Sequence, residues 1–143
     1  MANIIPFAFR GELFSGTHNF ASGGDSFKIA LYTSIAGYST ASTTYLTANE
    51  VSSGGSSGYT TGGKVLGSQA VASGTAVASV DFADSSIASA TFSAAGAAIY
   101  NDDKSDKLCV VLDFGGNKTC TNGTFTVSYP DPSTPANAII SMS

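Results

Sequence analysis

Apolar side chains recur at every second position in several short runs of this 143-residue chain, and this pattern constrains the fold more than any other feature. In the clearest run, Phe27, Ile29 and Leu31 occupy alternate positions. A period of two places alternate side chains on one face of a β-strand, so each run predicts a half-buried strand. The further runs lie at residues 78–82, 108–114 and 125–129, with weaker ones at 64–71, 90–100 and 138–142.

The connections between these runs are short and rich in turn-forming residues, as at 83–86, 101–106 and 115–123. A parallel crossover needs a dozen or more residues, so connections of this length predict antiparallel neighbours. We therefore expect a four-stranded meander from Val77 to Tyr129. The whole pattern is typical of an all-β chain, a single-domain antiparallel sandwich or barrel of about seven to nine short strands over residues 1–143.

Two segments depart from simple alternation within the predicted strand region. Residues 44–51 could form a single helical turn or an ordered loop, because Gly54 and Gly55 follow closely. Gly96 interrupts the run at 90–100 and marks a candidate β-bulge. In the run at 108–114 the alternation places Val110 and Leu112 on one buried face.

Residues 1–20 are crowded with aromatic residues but lack clean alternation. Phe7, Phe9, Leu13 and Phe14 lie close together there. Two interpretations stay open: the segment is an edge strand and loop packed on the core, or it is an interaction arm that docks on a neighbouring subunit. In the second interpretation these four residues are the candidate interface.

The two cysteines are too few for a disulfide scaffold. Cys109 lies in one strand-like run, and Cys120 lies in the connection that follows it. If the runs on either side of that connection form a hairpin, the two residues are separated by more than the ~7 Å Cα distance that a disulfide allows. We therefore expect two free thiols.

The charge content excludes several classes of partner. Charged residues make up only 11% of the chain, compared with about 25% in an ordinary soluble domain. The net charge is −4 and there is no basic stripe, so we expect no nucleic-acid partner and no attraction to an anionic membrane. No run of 18 apolar residues and no signal-peptide pattern is present, which predicts a soluble protein made in a cytoplasm. A polar surface with so few charges causes little electrostatic repulsion between neighbouring molecules. It therefore suits a protein whose surface is covered by its partners.

Two motifs suggest ligand sites but lack parts that those sites need. Residues 58–64 fit the G-x-x-x-x-G-K pattern of a phosphate-binding loop, but Val65 stands where the motif needs a Ser or Thr hydroxyl. Residues 101–106 carry three aspartates as a calcium loop does, yet the central glycine and the closing glutamate are missing. We expect tight turns at both places, with no cofactor and no bound metal.

Catalytic sites are also disfavoured by residue type. His18 is the only histidine, so neither a multi-histidine zinc site nor a pair of catalytic histidines can form. Asp81, Asp84 and Asp113 could supply a glycosidase carboxylate pair, but the chain has no Trp to stack on a sugar. The sequence predicts that this protein is not an enzyme.

Five strings of residues, taken in order, resemble a family of small virion structural proteins from tailed bacteriophages. The resemblance extends from about Gly11 to the carboxyl end and implies a capsid-decoration or cement protein, or a tail component. It carries no catalytic residues. The strings are 27–33, 44–51 with 58–64, 80–84, 96–101 and 111–116.

The resemblance implies copies of the chain itself, as a homotrimer, and the major capsid protein as partners. It places the protein on the capsid surface of a virion, after synthesis in the cytoplasm of a bacterial host. A tail-tube or tail-tip protein remains an alternative. A carbohydrate-binding module is a further alternative, because the six tyrosines could stack on sugars.

Overall fold

The computed structural model describes residues 2–130 and 138–142, which form two antiparallel β-sheets and one short α-helix. The predicted all-β antiparallel fold is therefore confirmed, and the sheets are arranged as a sandwich. One sheet has the order β2-β1-β5-β6 and the other the order β3-β4-β7. The elements are α1 (Phe7–Phe14), β1 (Phe27–Tyr32), β2 (Lys64–Val65), β3 (Ala70–Ser73), β4 (Ala78–Asp81), β5 (Ser85–Asn101), β6 (Lys107–Val127) and β7 (Ile140–Met142).

Some predictions fall partly outside the residues that the structure describes. The predicted amino-terminal segment includes Met1, and the predicted domain includes residues 131–137 and Ser143, all of which lie outside the described residues. In the described part of the chain, the helices are too short to cross a membrane.

Strand β1 lies between β2 and β5 and is buried on both faces. The alternation at 27–32 predicts this strand correctly, but the expectation that one face meets solvent is wrong. Phe27, Ile29 and Leu31 belong to the main core, whereas Ala30 and Tyr32 belong to a second apolar cluster on the opposite face of the sheet. The alternation therefore separates two cores, because loops that the sequence pattern does not place cover the second face.

Strands β5 and β6 form one long antiparallel ribbon, so the predicted four-stranded meander is wrong. The expected hairpin turn at 115–123 is part of β6. Between the pairs Ala94↔Lys118 and Gly96↔Asp113, strand β6 advances by five residues while β5 advances by two. This irregularity in β6 accounts for Gly115 and Gly116, because both residues have a positive φ. Turns and bulges both use this conformation, which glycine adopts without strain.

The predicted bulge at Gly96 is confirmed by the register shift beside it. A Cβ atom at this position would lie 2.5 Å from the carbonyl oxygen of Leu112 and 2.6 Å from a methyl carbon of Ile35. Only glycine allows the strands to approach so closely.

A second bulge changes which residues of β6 share a face. Ile99 pairs with Val110 while the next residue of β5 pairs with Leu108, which leaves Cys109 as an extra residue. Leu108 consequently faces the second cluster and Val110 the main core. Val110 is buried as expected, but Leu112 is only half-buried.

Both cysteines lie on β6, eleven residues apart, and both are free thiols. The prediction of free thiols is confirmed, although the hairpin from which it was argued does not exist. At about 3.3 Å of strand per residue, the two are much farther apart than a disulfide permits. Cys109 is fully buried, and burial raises the pKa of its thiol.

We expect the two thiols to react at different rates. In the folded protein Cys120 should react with a thiol reagent, while Cys109 should react only after unfolding, because it is buried and stays protonated. Titration in denaturant without reductant should count both. A Cys120→Ser variant should lose the reaction of the folded protein, and a fast reaction in that variant would show that Cys109 is accessible.

The helix lies in the amino-terminal segment and not at residues 44–51. Pro6 immediately precedes α1, and Gly16, with φ +69°, lies just after its end and donates its N–H to the carbonyl of Leu13. The edge strand expected in this segment is reduced to one bridge between Ile4 and Val111. Residues 44–51 form an ordered loop, which was one of the two predicted alternatives.

Candidate interaction surface

Helix α1 is fixed to the sandwich by its inner face. Phe9 is completely buried, with its ring centroid 5.1 Å from that of His18 and 6.1 Å from that of Phe20. Leu13, one turn further along, packs against the same core. Of the four candidate interface residues, Phe9 is thus placed in the core of its own chain, where it cannot contact a partner.

The outer face of α1, formed by Phe7, Arg10, Gly11 and Phe14, points away from the sandwich. Phe7 is 61% exposed and Phe14 is 93% exposed. They lie seven residues apart, close to two helical turns, and so project on the same side. At Gly11 a Cβ atom would meet nothing within 4 Å. The outer face therefore exposes two aromatic rings on either side of Arg10, whereas the inner face is buried in this chain.

Two apolar clefts border the helix. The α1 cleft has a volume of about 390 Å³ and includes Phe14 and Arg10 in its wall. The β4 cleft has a volume of about 440 Å³ and includes Val80 in its wall. Leu13 and the residues of β7 line both clefts and so separate them.

The sequence does not predict that β7 and β3 contribute to this surface. Met142 of β7 is 57% exposed and lines both clefts, and Val71 of β3 is 55% exposed and lines the β4 cleft. Their short strands carry a weak alternation signal, and only the pairing of both strands with β4 brings them beside the helix.

A polar network beneath α1 holds the helix in place. Glu12 accepts from Lys107 at 2.5 Å and hydrogen bonds with His18 at 2.8 Å. The other ring nitrogen of His18 lies 2.9 Å from the side-chain nitrogen of Asn101, which also donates to Asp25 at 2.8 Å. The network joins the helix to β6 and to the end of β5.

The hydrogen bonds define the state of His18. The Asn101 amide oxygen accepts from the backbone N–H of Asp103, so the amide nitrogen must face His18 and Asp25. Nδ1 of His18 is then an acceptor, and Nε2 carries the proton that is donated to Glu12. Both nitrogens are used and the side chain is fully buried, so this histidine is structural and cannot act on an external substrate.

The network predicts a loss of stability in acid. Burial raises the pKa of Glu12, but hydrogen bonds with Lys107 and His18 lower it more strongly, so the net direction is downward from 4.5. Burial likewise raises the pKa of Asp25, and bonds from Asn19 and Asn101 bring it below 3.8. A carboxyl with a lowered folded pKa stabilises the fold above its unfolded pKa, and this contribution is lost as the pH falls through the folded value.

We therefore expect the free energy of unfolding to fall as the pH decreases below about 4.5. Urea unfolding between pH 3 and 7 measures this dependence. Glu12→Gln should be less stable at pH 7 and should have a shallower acid dependence, because one of the linked groups is gone. An unchanged slope in this variant would contradict the assignment to Glu12.

A second polar cluster surrounds Glu50 and accounts for the glycine motif at 58–64. The Glu50 carboxylate accepts from the hydroxyls of Tyr45 and Tyr59 and, at 2.7 Å, from the N–H of Gly62. The N–H of Gly63 donates to Thr60. Because these N–H groups are already bonded and a strand follows them, the segment is not built to hold a phosphate.

The aspartates at 101–106 serve the fold. Asp102 pairs with Lys28 at 2.9 Å, and Asp103 accepts from the N–H of Ser26 at 2.7 Å. Among the described residues, no group of three or more His, Cys, Asp or Glu side chains is placed to hold a metal ion.

The three aspartates that could have supplied a glycosidase carboxylate pair lie on different parts of the fold. Asp81 lies on β4, Asp84 in the connection after it, and Asp113 on β6. Asp84 accepts from the N–H of Tyr129, and Asp113 accepts from the N–H of Gly115. Two of the three are therefore engaged with backbone groups.

No protein-family model, curated protein or solved structure matches this chain. The geometry of the chain and the resemblance of its residue strings are therefore the grounds for assigning a function. The feature that the fold itself leaves unexplained is the exposed aromatic face of α1.

Proposed function

We propose that this chain is a non-enzymatic structural protein that assembles through the outer face of α1 and acts as a capsid-decoration protein of a tailed bacteriophage. The observation that carries the proposal is the 93% exposure of Phe14 on a helix whose opposite face is already buried. Exposed aromatic side chains grouped on one face are typical of an interaction surface. The described residues of this chain leave that face uncovered, so we assign the covering surface to another subunit.

The energetics favour this use of the helix. Full burial of a side chain such as Phe stabilises by about 1.5–3 kcal/mol. Phe7 and Phe14, together with Met142, supply several such side chains on one surface. A standard interface buries about 800 Å² on each partner and is driven by a few large side chains of this kind.

The low charge and the resemblance support the same function. Only 11% of the residues are charged, so electrostatic repulsion between closely packed subunits is weak. The resemblance to small phage virion proteins points to the major capsid protein and to further copies of this chain, as a homotrimer, as the partners. Closed symmetry repeats one interface around an axis, which suits a three-fold position of a lattice.

The test measures attachment to particles of the phage that encodes the chain. A variant with Phe7→Ser and Phe14→Ser should fold but occupy fewer sites on purified heads, and these heads should release their genome at a lower temperature, because a protein that binds the lattice stabilises it by mass action. Val65→Ser is the matched control, since Val65 is 55% exposed on β2 but lies outside both clefts. Deletion of the segment is not a suitable test, because it removes the buried Phe9.

Three results would contradict the proposal. Normal occupancy by the double variant would exclude the outer face of α1 as the attachment surface. Recovery of the protein only in purified tails would exclude a decoration protein and favour a tail component. Hydrolysis of a polysaccharide by the isolated chain would exclude a purely structural function.

A further inference from the structure

Arg10, like Lys64 and Lys118, has no carboxylate partner among the described residues. The chain has six basic residues. Three of them form ion pairs: Lys28 with Asp102, Lys104 with Asp25, and Lys107 with Glu12. Arg10 forms no ion pair with any carboxylate in the described part of the chain.

Arg10 is nevertheless held in a defined position. Its guanidinium lies 5.3 Å from the ring centroid of Phe7, and it donates to the carbonyl oxygen of Ile5 over a long 3.4 Å. A guanidinium has five N–H donors in a planar fork that matches a carboxylate. One long bond leaves most of this capacity free.

The position of Arg10 matters because it forms part of the wall of the α1 cleft. The other residues of the wall are apolar except for Ser141, and Phe14 stands beside Arg10 as a large exposed ring. A ligand that enters this cleft therefore meets an apolar surface and one cation. A carboxylate can accept two parallel hydrogen bonds from one guanidinium. This attraction is stronger where apolar neighbours exclude water than in open solvent.

We propose that the α1 cleft binds a segment of a different protein that places a large apolar side chain in the cleft and a carboxylate on Arg10. This inference rests on the proposed function and specifies the chemistry of the partner at the same surface. The pairing of an aromatic contact with an Arg contact is typical of the residues that dominate binding energy at interfaces.

A second copy of this chain that presents the same face is a poorer occupant of the cleft than an acidic segment. Docking two copies through this face about a two-fold axis would bring their Arg10 side chains toward each other, and like charges repel. The carboxylate on α1 itself, Glu12, is already bound to Lys107 and His18. The charge of the surface therefore favours an acidic segment from another protein.

The test uses two small probes that differ only in charge, 4-phenylbutyrate and 4-phenylbutanamide, titrated into the ¹⁵N-labelled full chain. The acid should bind in the millimolar range expected for so small a ligand, with chemical-shift changes confined to α1 and β7. The amide should bind at least about tenfold more weakly. Arg10→Gln should remove this difference, while Lys118→Gln, a substitution of another cation outside the cleft, should keep it.

Equal binding of acid and amide would overturn the inference, as would shift changes centred away from α1. These results are distinguishable from failure of the proposed function. If the variant with Phe7→Ser and Phe14→Ser loses its place on particles while acid and amide bind equally, the surface is correct and the carboxylate is not. If Arg10→Gln lowers particle occupancy at least about tenfold and Lys118→Gln does not, both proposals are supported.

Discussion

Phe9→Ala should lower the free energy of unfolding by about 3–5 kcal/mol, the usual cost of emptying a buried Phe site. The ring is completely buried and touches the rings of His18 and Phe20. Its loss leaves a cavity at the point where α1 meets the core. Denaturation in urea, with an unchanged dependence on denaturant, measures the effect.

The matched control is Phe14→Ala on the same helix. Phe14 is 93% exposed, so this change should alter the free energy of unfolding by no more than about 0.5 kcal/mol. The same residue is expected to matter for attachment to partners. If Phe14→Ala costs as much stability as Phe9→Ala, the faces of α1 are assigned incorrectly and the proposed interaction surface fails with them.

Gly63→Ala should be the most damaging of the glycine-to-alanine substitutions in the chain. We expect the free energy of unfolding to fall by more than about 4 kcal/mol, or the variant to fail to fold. The added Cβ would lie 2.0 Å from the carbonyl oxygen of Ile29 and 2.8 Å from the Cα of Ala30. Both atoms belong to the backbone of the central strand β1, which cannot move without breaking its pairs with β2 and β5. The φ of +81° adds backbone strain.

Gly62→Ala is the control that separates the steric clash with β1 from the backbone strain of a positive φ. Gly62 also has a positive φ, +91°, but its Cβ would meet only the hydroxyl of Tyr100, at 3.7 Å. The backbone conformation alone should cost about 1–3 kcal/mol. Thermal or urea unfolding of the two variants compares them directly, and equal losses would show that β1 tolerates the contact.

The sequence by itself determined the fold class and the position of most strands. Alternation at 27–32 identified β1, and the same period marked β4 and both ends of the β5–β6 ribbon, because a strand exposes its side chains to two faces in turn. Of the three short connections, only the one at 101–106 joins antiparallel neighbours, β5 and β6. The connection at 83–86 joins strands of different sheets, and 115–123 is part of β6. The alternation separated Phe27 and Ile29 from Ala30 and Tyr32, but it did not predict that the second face is also buried.

Only the tertiary structure decided the length of β6. Gly115 and Gly116 are compatible with a hairpin turn or with a bulge, since both use a positive φ. The choice depends on whether the residues beyond them pair with β5, and they do so from Lys118 to Val127. A local pattern cannot report a contact between residues so far apart in sequence.

The tertiary structure also decided the role of the aromatic amino-terminal segment. An eight-residue helix with phenylalanines on both faces has no amphipathic signal, and such a short helix is unstable alone. It forms because Phe9 enters the core and Glu12 joins Lys107 and His18. Those contacts sort four apparently similar apolar residues into Phe9 in the core, Leu13 at its margin, and Phe7 and Phe14 facing outward. The sequence supplied the candidates, and burial separated them, because exposure is a property of the packed chain.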